Sequence, residues 1–327
     1  MNYAVVGTGS ISRSFIEAAG RVPDMELYGI CSRSLPKAAA MSEEHGGAKA
    51  FDDLDAMLAD DRVELVYLAS PNAVHFGQMM RALERGKHVI CEKPFVSNCR
   101  EFCRAAELAE KKNLFLFEAI TNQYLPNFQE LRRLLPRVAP VRQVKLEFCR
   151  PSGRYWDLKE GRMSNTMDLA FSGGCLMDIG VYCVHVALGL FGPPEQVTYC
   201  ANMWPNGVDT SGTMLLRYPD LVAVLSCAKD SASANRSEIQ GEKGCLMVEG
   251  SLGKIPKLLL LQDGRIEDVS VPQGEGHMVY EISAFAEAVR RRDYAFARRR
   301  LRHSGEVIRV LDEARKSAGI HFPADEA

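Results

Sequence analysis

The first 33 residues constrain the fold of this chain more than any other segment. An apolar run at residues 3–6 passes directly into the turn Gly7-Thr8-Gly9-Ser10-Ile11-Ser12, and a helical pattern follows over residues 13–20. This order predicts a strand, a glycine-rich turn and a helix. Because free N–H groups and the helix dipole favour anions at the start of a helix, such a turn is typical of a site for a dinucleotide pyrophosphate.

The small residues of the turn have separate roles. Gly7 permits the tight turn, and Gly9 leaves room for a phosphate. Ser12 stands where a third glycine is usual, and its small side chain still lets the helix pack closely on the strand. We therefore predict that the cofactor is bound by Gly7, Thr8, Gly9, Ser10 and Ile11.

The residues after the second predicted strand indicate which dinucleotide is bound. About twenty residues after the turn, NAD-binding proteins offer a carboxylate to the ribose 2′-hydroxyl. This chain has Ser32 and Arg33 there. A guanidinium suits a 2′-phosphate through charge-assisted hydrogen bonds, and a serine hydroxyl can donate another. The interpretation is NADP(H) rather than NAD(H), with an ordinary surface arginine as the alternative.

Composition excludes several classes of protein. The 327 residues, 46% of them hydrophobic, are enough for two domains. The formal net charge is −2, and this balance indicates neither a nucleic acid nor a membrane surface as partner. The ten cysteines include no Cys-x-x-Cys pair, which favours reduced thiols over disulfides or a metal site. The first strand begins at residue 3 without a leader, so we expect a cytoplasmic protein.

Hydrophobic periodicity predicts two different sheets. Strand and helix alternate up to residue 120, which requires a parallel sheet covered on both faces. From Val144 onward, apolar residues recur with period two, as in an antiparallel or mixed sheet. The predicted fold class is α/β: a doubly wound parallel domain over residues 1–120 that binds NADP, then an α+β domain over 121–327 with a large open, mostly antiparallel sheet for substrate binding and dimerisation.

One strand of the second sheet suggests self-association. Apolar side chains alternate along 197–203 without an obvious covering helix. An uncovered apolar face of this kind favours a partner subunit. We therefore expect a homodimer formed through the second sheet.

Two further segments follow parallel strands and thus lie at the edge where doubly wound sheets bind ligands. One is Glu92-Lys93-Pro94, in which the proline holds Lys93 in extended geometry. The other is Ser70-Pro71-Asn72, followed by His75, which either touches the nicotinamide end of the cofactor or supports its own helix. We predict that the cofactor site includes Ser70, Pro71, Asn72, His75, Glu92, Lys93 and Pro94.

A helix over residues 172–191 is apolar almost all round and should therefore be buried. Its polar residues Asp178, Tyr182 and His185 are spaced to share one stripe. A buried carboxylate needs a polar cleft or a charged partner such as Lys93. Tyr182 is either catalytic or a core tyrosine, and His185 is interpreted as a core residue. The sequence does not place Arg150, Arg154, Tyr155 and Trp156.

The glycine turn, Glu92-Lys93-Pro94 and the pattern Gly173-Gly174-x-x-x-Asp178-x-Gly180-x-Tyr182 occur together in this order. The chain thereby resembles the glucose–fructose oxidoreductase, inositol dehydrogenase and rhizopine catabolism (Gfo/Idh/MocA) family. The resemblance implies a Rossmann domain and a C-terminal open sheet that is often a dimer surface. It also implies hydride transfer between NAD(P) and a hydroxyl or carbonyl carbon of a sugar, cyclitol or diol.

The resemblance also implies roles for single residues. Lys93 resembles the motif lysine beside the nicotinamide, and Asp178 resembles the helix aspartate. Tyr182 stands where inositol dehydrogenases have histidine and where glucose–fructose oxidoreductase and dimeric dihydrodiol dehydrogenases have tyrosine. The hypothesis is that Tyr182 exchanges the proton, Lys93 lowers its pKa and Asp178 holds the lysine. The chain departs from many relatives at Ser12 and at Asn122-Gln123, where arginine is common.

Other functions remain open at this point. A relative of this fold can keep the nucleotide site and act as a catalytically silent regulator, although the presence of Lys93 and Tyr182 argues against this. A reductase of a non-sugar substrate would not need the pair Asp178 and Tyr182. The expected partner is in every case a small molecule.

Overall fold

The computed structural model describes residues 1–274 and 276–326. The chain divides into two compact units, Met1–Ala119 with Met278–Gly305, and Ile120–His277 with Glu306–Ala327. The sequence predicts a single boundary at residue 120. The structure differs, because Met278–Gly305, near the C-terminus, belongs to the first unit.

Aromatic stacking holds the returning segment within the first unit. Phe285 stacks on Phe117 with ring centroids 4.4 Å apart, and Tyr294 stacks on Phe115 at 4.6 Å. Stacked aromatic pairs contribute beyond the area they bury. The sequence offers no local signal for these contacts because they join residues far apart in the chain.

The first unit is built on one parallel sheet. Its strands are β1 (Asn2–Val6), β2 (Glu26–Cys31), β3 (Lys49–Phe51), β4 (Leu65–Leu68), β5 (His88–Glu92) and β6 (Leu116–Ala119), in the spatial order β3-β2-β1-β4-β5-β6. The helices between them are α1 (Ser10–Ala19), α2 (Leu35–Glu44), α3 (Leu54–Leu58), α4 (Asn72–Glu84) and α5 (Cys99–Lys111). The predicted doubly wound sheet is confirmed. Its strand order reverses between β1 and β4, which is where such sheets bind ligands.

The second unit contains an eight-stranded sheet in the order β14-β13-β12-β11-β7-β10-β9-β8. The strands are β7 (Val141–Cys149), β8 (Gln196–Met203), β9 (Asp209–Arg217), β10 (Val222–Ala228), β11 (Arg236–Gly241), β12 (Gly244–Glu249), β13 (Lys257–Gln262) and β14 (Arg265–Asp268). Strands β7 and β10 are parallel, and the other neighbours are antiparallel. The predicted open, mostly antiparallel sheet is confirmed.

The remaining α-helices of the described residues follow strand β6 in the chain. They are α6 (Pro126–Val138), α7 (Gly153–Lys159), α8 (Val181–Phe191), α9 (Met278–Arg291) and α10 (Tyr294–Ser317). A single π-helical turn, Leu176–Gly180, precedes α8, and short 3₁₀ turns lie at Thr121–Gln123, Asn165–Met167, Leu169–Phe171 and Pro323–Asp325. By length and composition, Leu169–Phe191 resembles a membrane span, but 67% of its most apolar stretch is buried inside the protein. Burial of this kind is typical of a core helix.

The two faces of the second sheet differ from the expectation. Tyr199, on the apolar face of β8, is only 2% exposed, and its N–H donates to Ser317 Oγ of α10 at 2.9 Å. The chain's own helix therefore covers the face that we expected a partner to cover. The opposite face exposes Thr198 and Cys200 on β8 together with Leu215 and Val222, which are 47% and 41% exposed.

Candidate active site

The glycine turn of the first unit lies between the carboxyl ends of strands. Gly7 has φ +115°, and a Cβ at this position would lie 2.6 Å from the carbonyl oxygen of Ala69. The N–H of Gly7 donates to the carbonyl of Cys31 at 2.9 Å. Only glycine adopts this conformation without strain and without that clash. The predicted role of Gly7 in the tight turn is confirmed.

The N-terminus of α1 has the features of an anion site. Gly9 precedes the helix, which has neither a side-chain cap nor an acidic residue in its first turn. A Cβ at Gly9 would meet no atom within 4 Å, so the space in front of the helix is open. Arg13 Nη1 donates to the carbonyl of Thr8 at 3.0 Å and so draws that oxygen toward its own side chain. The turn therefore fits a pyrophosphate.

Ser12 performs the packing role of the third glycine. Its side chain is 0% exposed, and its Oγ lies 3.5 Å from the position that a Cβ on Gly7 would take. Ser10 and Ile11 are exposed at the start of the same helix. The small side chain of Ser12 thus keeps the helix against the turn, as predicted.

Two cationic side chains follow strand β2: Arg33, two residues after the strand, and Lys37 on α2. Ser32 is held by its N–H, which donates to the carbonyl of Phe51 at 3.0 Å. Arg33 is exposed, and its guanidinium forms no hydrogen bond or ion pair with any residue that the structure describes. Lys37, exposed on α2 four residues later, is a second cation that the sequence analysis missed. The signal that could have revealed it was a second basic residue four positions after Arg33, in the first turn of α2.

His75 supports the backbone around it. Its ring is 0% exposed, with Nδ1 3.1 Å from the carbonyl oxygen of Pro94 and Nε2 2.8 Å from that of Ser70. Burial lowers the pKa of His75. Of the two predicted roles, the structure favours support of the local fold over direct contact with a cofactor. Pro71 and Asn72 are partly exposed at the start of α4.

Of the three residues Glu92-Lys93-Pro94 at the end of β5, Lys93 is partly exposed, whereas Glu92 and Pro94 are buried. Glu92 accepts a hydrogen bond from Tyr67 Oη. Burial raises the pKa of Glu92 to about 6, although the Tyr67 hydrogen bond and the charge of Lys93 act in the opposite direction. Glu92 is thus an interior neighbour of Lys93, and a direct cofactor contact by Glu92 or Pro94 stays a prediction.

In the second unit, the pair Gly173-Gly174 comes just before the π-helical turn, and Gly174 sets the backbone conformation there. Gly174 has φ +127°, and a Cβ there would lie 2.0 Å from Asp209 Oδ1. Asp209 is 1% exposed, and its Oδ2 accepts hydrogen bonds from the N–H of Leu176 at 2.7 Å and from Tyr199 Oη at 2.8 Å. Burial raises the pKa of Asp209. This carboxylate, which the sequence analysis missed, anchors the turn that carries Asp178.

Asp178 forms an ion pair with Lys229. Asp178 Oδ2 pairs with Lys229 Nζ, and the two side chains are 23% and 3% exposed. The sequence pattern suggested Lys93 as an example of a charged partner for Asp178, and Lys229 was not foreseen. A lysine directly after the apolar strand β10 was the available signal.

The Asp178–Lys229 pair lines a cleft of about 220 Å³ within the second unit. The other lining residues are Phe148, Arg150, Pro151, Ser152, Gly153 and Ile179. The cleft is therefore polar and carries both signs of charge. It resembles the concave sites in which a few polar groups orient a small ligand.

Tyr182 lies beside this cleft, whereas His185 does not. The half-buried Tyr182 ring meets Phe148 edge-on, with centroids 5.6 Å apart. His185 is 0% exposed, which confirms its interpretation as a core residue. The Asn122 amide donates to the carbonyl of Tyr182 at 3.0 Å, and the Gln123 amide donates to that of His185 at 2.9 Å. The unusual Asn122-Gln123 pair therefore holds the helix α8.

The other unplaced residues lie on α7. Arg154 forms an ion pair with Asp157 at 3.6 Å. Tyr155 packs edge-on against Trp204 with centroids 5.9 Å apart, and Trp156 is 51% exposed. Within residues 1–274 and 276–326, no group of three or more His, Cys, Asp or Glu side chains is placed to hold a metal ion.

Family models match both parts of the chain. Residues 1–120 match the oxidoreductase family with an NAD-binding Rossmann fold, and residues 128–247 match the GFO/IDH/MocA C-terminal domain. The chain therefore belongs to the Gfo/Idh/MocA family of oxidoreductases.

Particular relatives are similar over their whole length. The scyllo-inositol 2-dehydrogenase (NADP(+)) of Bacillus subtilis is 36% identical over 327 residues, which is 100% of both chains. The human trans-1,2-dihydrobenzene-1,2-diol dehydrogenase is 27% identical over 345 residues and covers 100% of this chain and 99% of its own. A 3-ketoreductase from Actinomadura kijaniata, solved with NADP and TDP-benzene, shares the fold with a TM-score of 0.86 at 23% identity, over 97% of each chain.

Proposed function

We propose that this enzyme is an NADP(H)-dependent dehydrogenase whose substrate is a cyclitol. The class is an oxidoreductase that transfers a hydride between NADP(H) and a hydroxyl or carbonyl carbon of a sugar, cyclitol or diol. The observation that carries the narrower proposal is the full-length similarity, at 36% identity, to a scyllo-inositol 2-dehydrogenase. The polar cleft beside Asp178 supports a substrate with several hydroxyl groups.

The residues of the first unit fit the cofactor. The open N-terminus of α1, with Gly9 in front of it, would hold the pyrophosphate. Ser32, Arg33 and Lys37 would hold the 2′-phosphate. When bound, the nicotinamide supplies the hydride acceptor or donor. The protein must therefore provide the orientation of the substrate and the transfer of a proton.

Tyr182, Lys93 and Asp178 are the residues that we propose for proton transfer and substrate orientation. Hydride leaves or joins a carbon only if a proton also moves on the attached oxygen, so an acid or base must lie within hydrogen-bond reach of that oxygen. We assign the proton to Tyr182 Oη. We assign to Lys93 the positive charge that favours the phenolate. The carboxylate of Asp178, which pairs with Lys229, orients the polar groups of the cleft.

Substitution of Arg33 tests the cofactor assignment. A hydrogen bond to a charged group contributes about 1.5–3 kcal/mol, so Arg33→Asp should weaken NADPH binding at least about tenfold. NADH, which lacks the 2′-phosphate, should be affected far less. Fluorescence titration of both cofactors measures the effect, with Arg21→Asp as a charge-matched control on the same unit. Equal losses for NADPH and NADH would show that Arg33 does not bind the 2′-phosphate.

A substrate panel tests the cyclitol assignment. The panel contains scyllo-inositol, myo-inositol, glucose and a trans-dihydrodiol, each at equal concentration with NADP⁺. We expect the highest kcat/KM with an inositol. A preference for the dihydrodiol would overturn the cyclitol assignment and leave the oxidoreductase class intact.

We further propose a cytoplasmic homodimer. The cysteines are free thiols, which is typical of a reducing compartment. The exposed face of the second sheet, defined by Thr198, Cys200, Leu215 and Val222, is the proposed dimer surface. We propose this face in place of the opposite one, which carries Tyr199 and is covered by the chain's own helix α10.

Charge placed on this face should dissociate the dimer. Leu215 and Val222 are both more than a third exposed, so Leu215→Glu together with Val222→Glu should leave each subunit folded. Two carboxylates on each copy would meet their equivalents across a two-fold axis and repel each other. Sedimentation velocity should show a dimer for the wild type and a monomer for the variant. A wild-type mass that stays monomeric at every concentration would refute the proposal.

A further inference from the structure

Lys229 is held in place by both its backbone and its side chain. Its N–H donates to the carbonyl of Thr210 at 2.8 Å, and its carbonyl accepts from the N–H of Ser152 at 2.9 Å. The residue is 2% exposed, and its ammonium pairs with the Asp178 carboxylate on the wall of the cleft. The position of the charge is therefore fixed.

This arrangement makes each charge depend on the other. An ammonium as buried as that of Lys229 is costly without a partner. Asp178 is less buried than Lys229, with 23% against 3% of the side chain exposed, so the carboxylate is the more accessible member of the pair in the cleft. A carboxylate has about four lone-pair sites, so pairing with Lys229 does not exhaust the capacity of Asp178 to accept hydrogen bonds.

We propose that Lys229 is a positioning residue for the reaction, which holds the Asp178 carboxylate so that it accepts a hydrogen bond from a substrate hydroxyl next to the reacting carbon. The inference rests on the proposed function and adds that the substrate is recognised through the hydroxyl next to the reacting carbon. Lys229 acts through Asp178 and not on the substrate itself. Nothing in the pattern of the sequence assigns it this role.

A double-mutant cycle tests the inference. The variants are Lys229→Met, Asp178→Asn and the two combined, each assayed with the best substrate of the panel. We expect each single variant to lower kcat/KM at least tenfold through a rise in the substrate KM, with the KM for NADP⁺ unchanged. If Lys229 acts through Asp178, Lys229→Met should have little further effect in the Asp178→Asn background.

The matched control is Lys257→Met. Lys257 forms an exposed ion pair with Glu249 at 3.1 Å, so its loss removes an equivalent charge without touching the cleft. Because Lys229→Met removes the ion pair with Asp178, thermal unfolding of every variant accompanies the kinetics. If Lys229→Met does not fold, the double variant, which removes both charges, is compared with Asp178→Asn alone, and a further tenfold loss of kcat/KM would overturn the inference.

The outcomes separate the inference from the proposed function. Wild-type kinetic constants in Lys229→Met, or losses that multiply in the double variant, would overturn the role of Lys229 while an active wild type upholds the proposed function. A wild type that oxidises no member of the panel would overturn both. A substrate analogue that lacks the neighbouring hydroxyl adds a direct check, because its kcat/KM should be insensitive to Lys229→Met.

Discussion

Replacement of Tyr182 by phenylalanine is expected to lower kcat by about 10²–10⁴-fold, since that is the usual contribution of general acid–base catalysis. NADPH affinity should stay nearly unchanged, because Tyr182 lies in the second unit beside Phe148 and not among the residues that fit the cofactor. Lys93→Met should be at least as damaging. The variant with both changes should be little worse than Lys93→Met, since residues that act as one unit are not additive. Steady-state kinetics and NADPH titration provide the measurements.

Tyr218→Phe is the matched control for the tyrosine. Tyr218 Oη donates to the carbonyl of Gly192 at 3.1 Å within the same unit, so its loss should affect stability and leave kcat unchanged. Near-normal turnover of Tyr182→Phe would assign the proton transfer to Lys93 or to His185. Tyr182 would then be a packing residue against Phe148.

The second large effect is expected at Gly174. An alanine there would combine a positive φ of 127° with a Cβ that lies 2.0 Å from Asp209 Oδ1. Backbone strain alone costs about 1–3 kcal/mol, and displacement of Asp209 would also break a charged hydrogen bond to Leu176 worth about 1.5–3 kcal/mol. Gly174→Ala should therefore lower the free energy of unfolding by about 3 kcal/mol or more, measured by denaturant titration.

Gly161 is a suitable control, because it also has a positive φ but has no atom close to where a Cβ would lie. It has φ +77°, and a Cβ there would meet no atom within 4 Å. Gly161→Ala should cost about 1–2 kcal/mol, the backbone contribution alone. Equal destabilisation of the two variants would contradict the close contact between Gly174 and the Asp209 carboxylate.

The periodic parts of the fold were predictable from the sequence. The helical pattern expected at 13–20 corresponds to α1 at Ser10–Ala19, and the alternating strand expected at 197–203 is β8 at Gln196–Met203. Both segments are strongly periodic, and buried apolar faces set their boundaries. Helix α6, which contains Pro136 in its interior, was not predicted.

The site was predictable only in part, for physical reasons. The glycine turn is local, so its geometry followed from its residues. The pairing of Asp178 with Lys229 joins residues 51 positions apart and depends on where β10 ends relative to the π-helical turn. Likewise, alternation along β8 showed that the strand has two faces, but only the packing of α10 determines which face the chain covers.

Transfer of deuterium tests the central claim most directly. An inositol deuterated at its ring carbons is incubated with NADP⁺ and the enzyme, and the reduced cofactor is examined by mass spectrometry. If the enzyme moves a hydride from a carbinol carbon, NADPH forms and carries one deuterium, and Tyr182→Phe forms it far more slowly. Tight NADPH binding without reduction of NADP⁺ by any polyol would instead indicate a silent regulator and contradict the assignment of an oxidoreductase that acts on hydroxyl carbons.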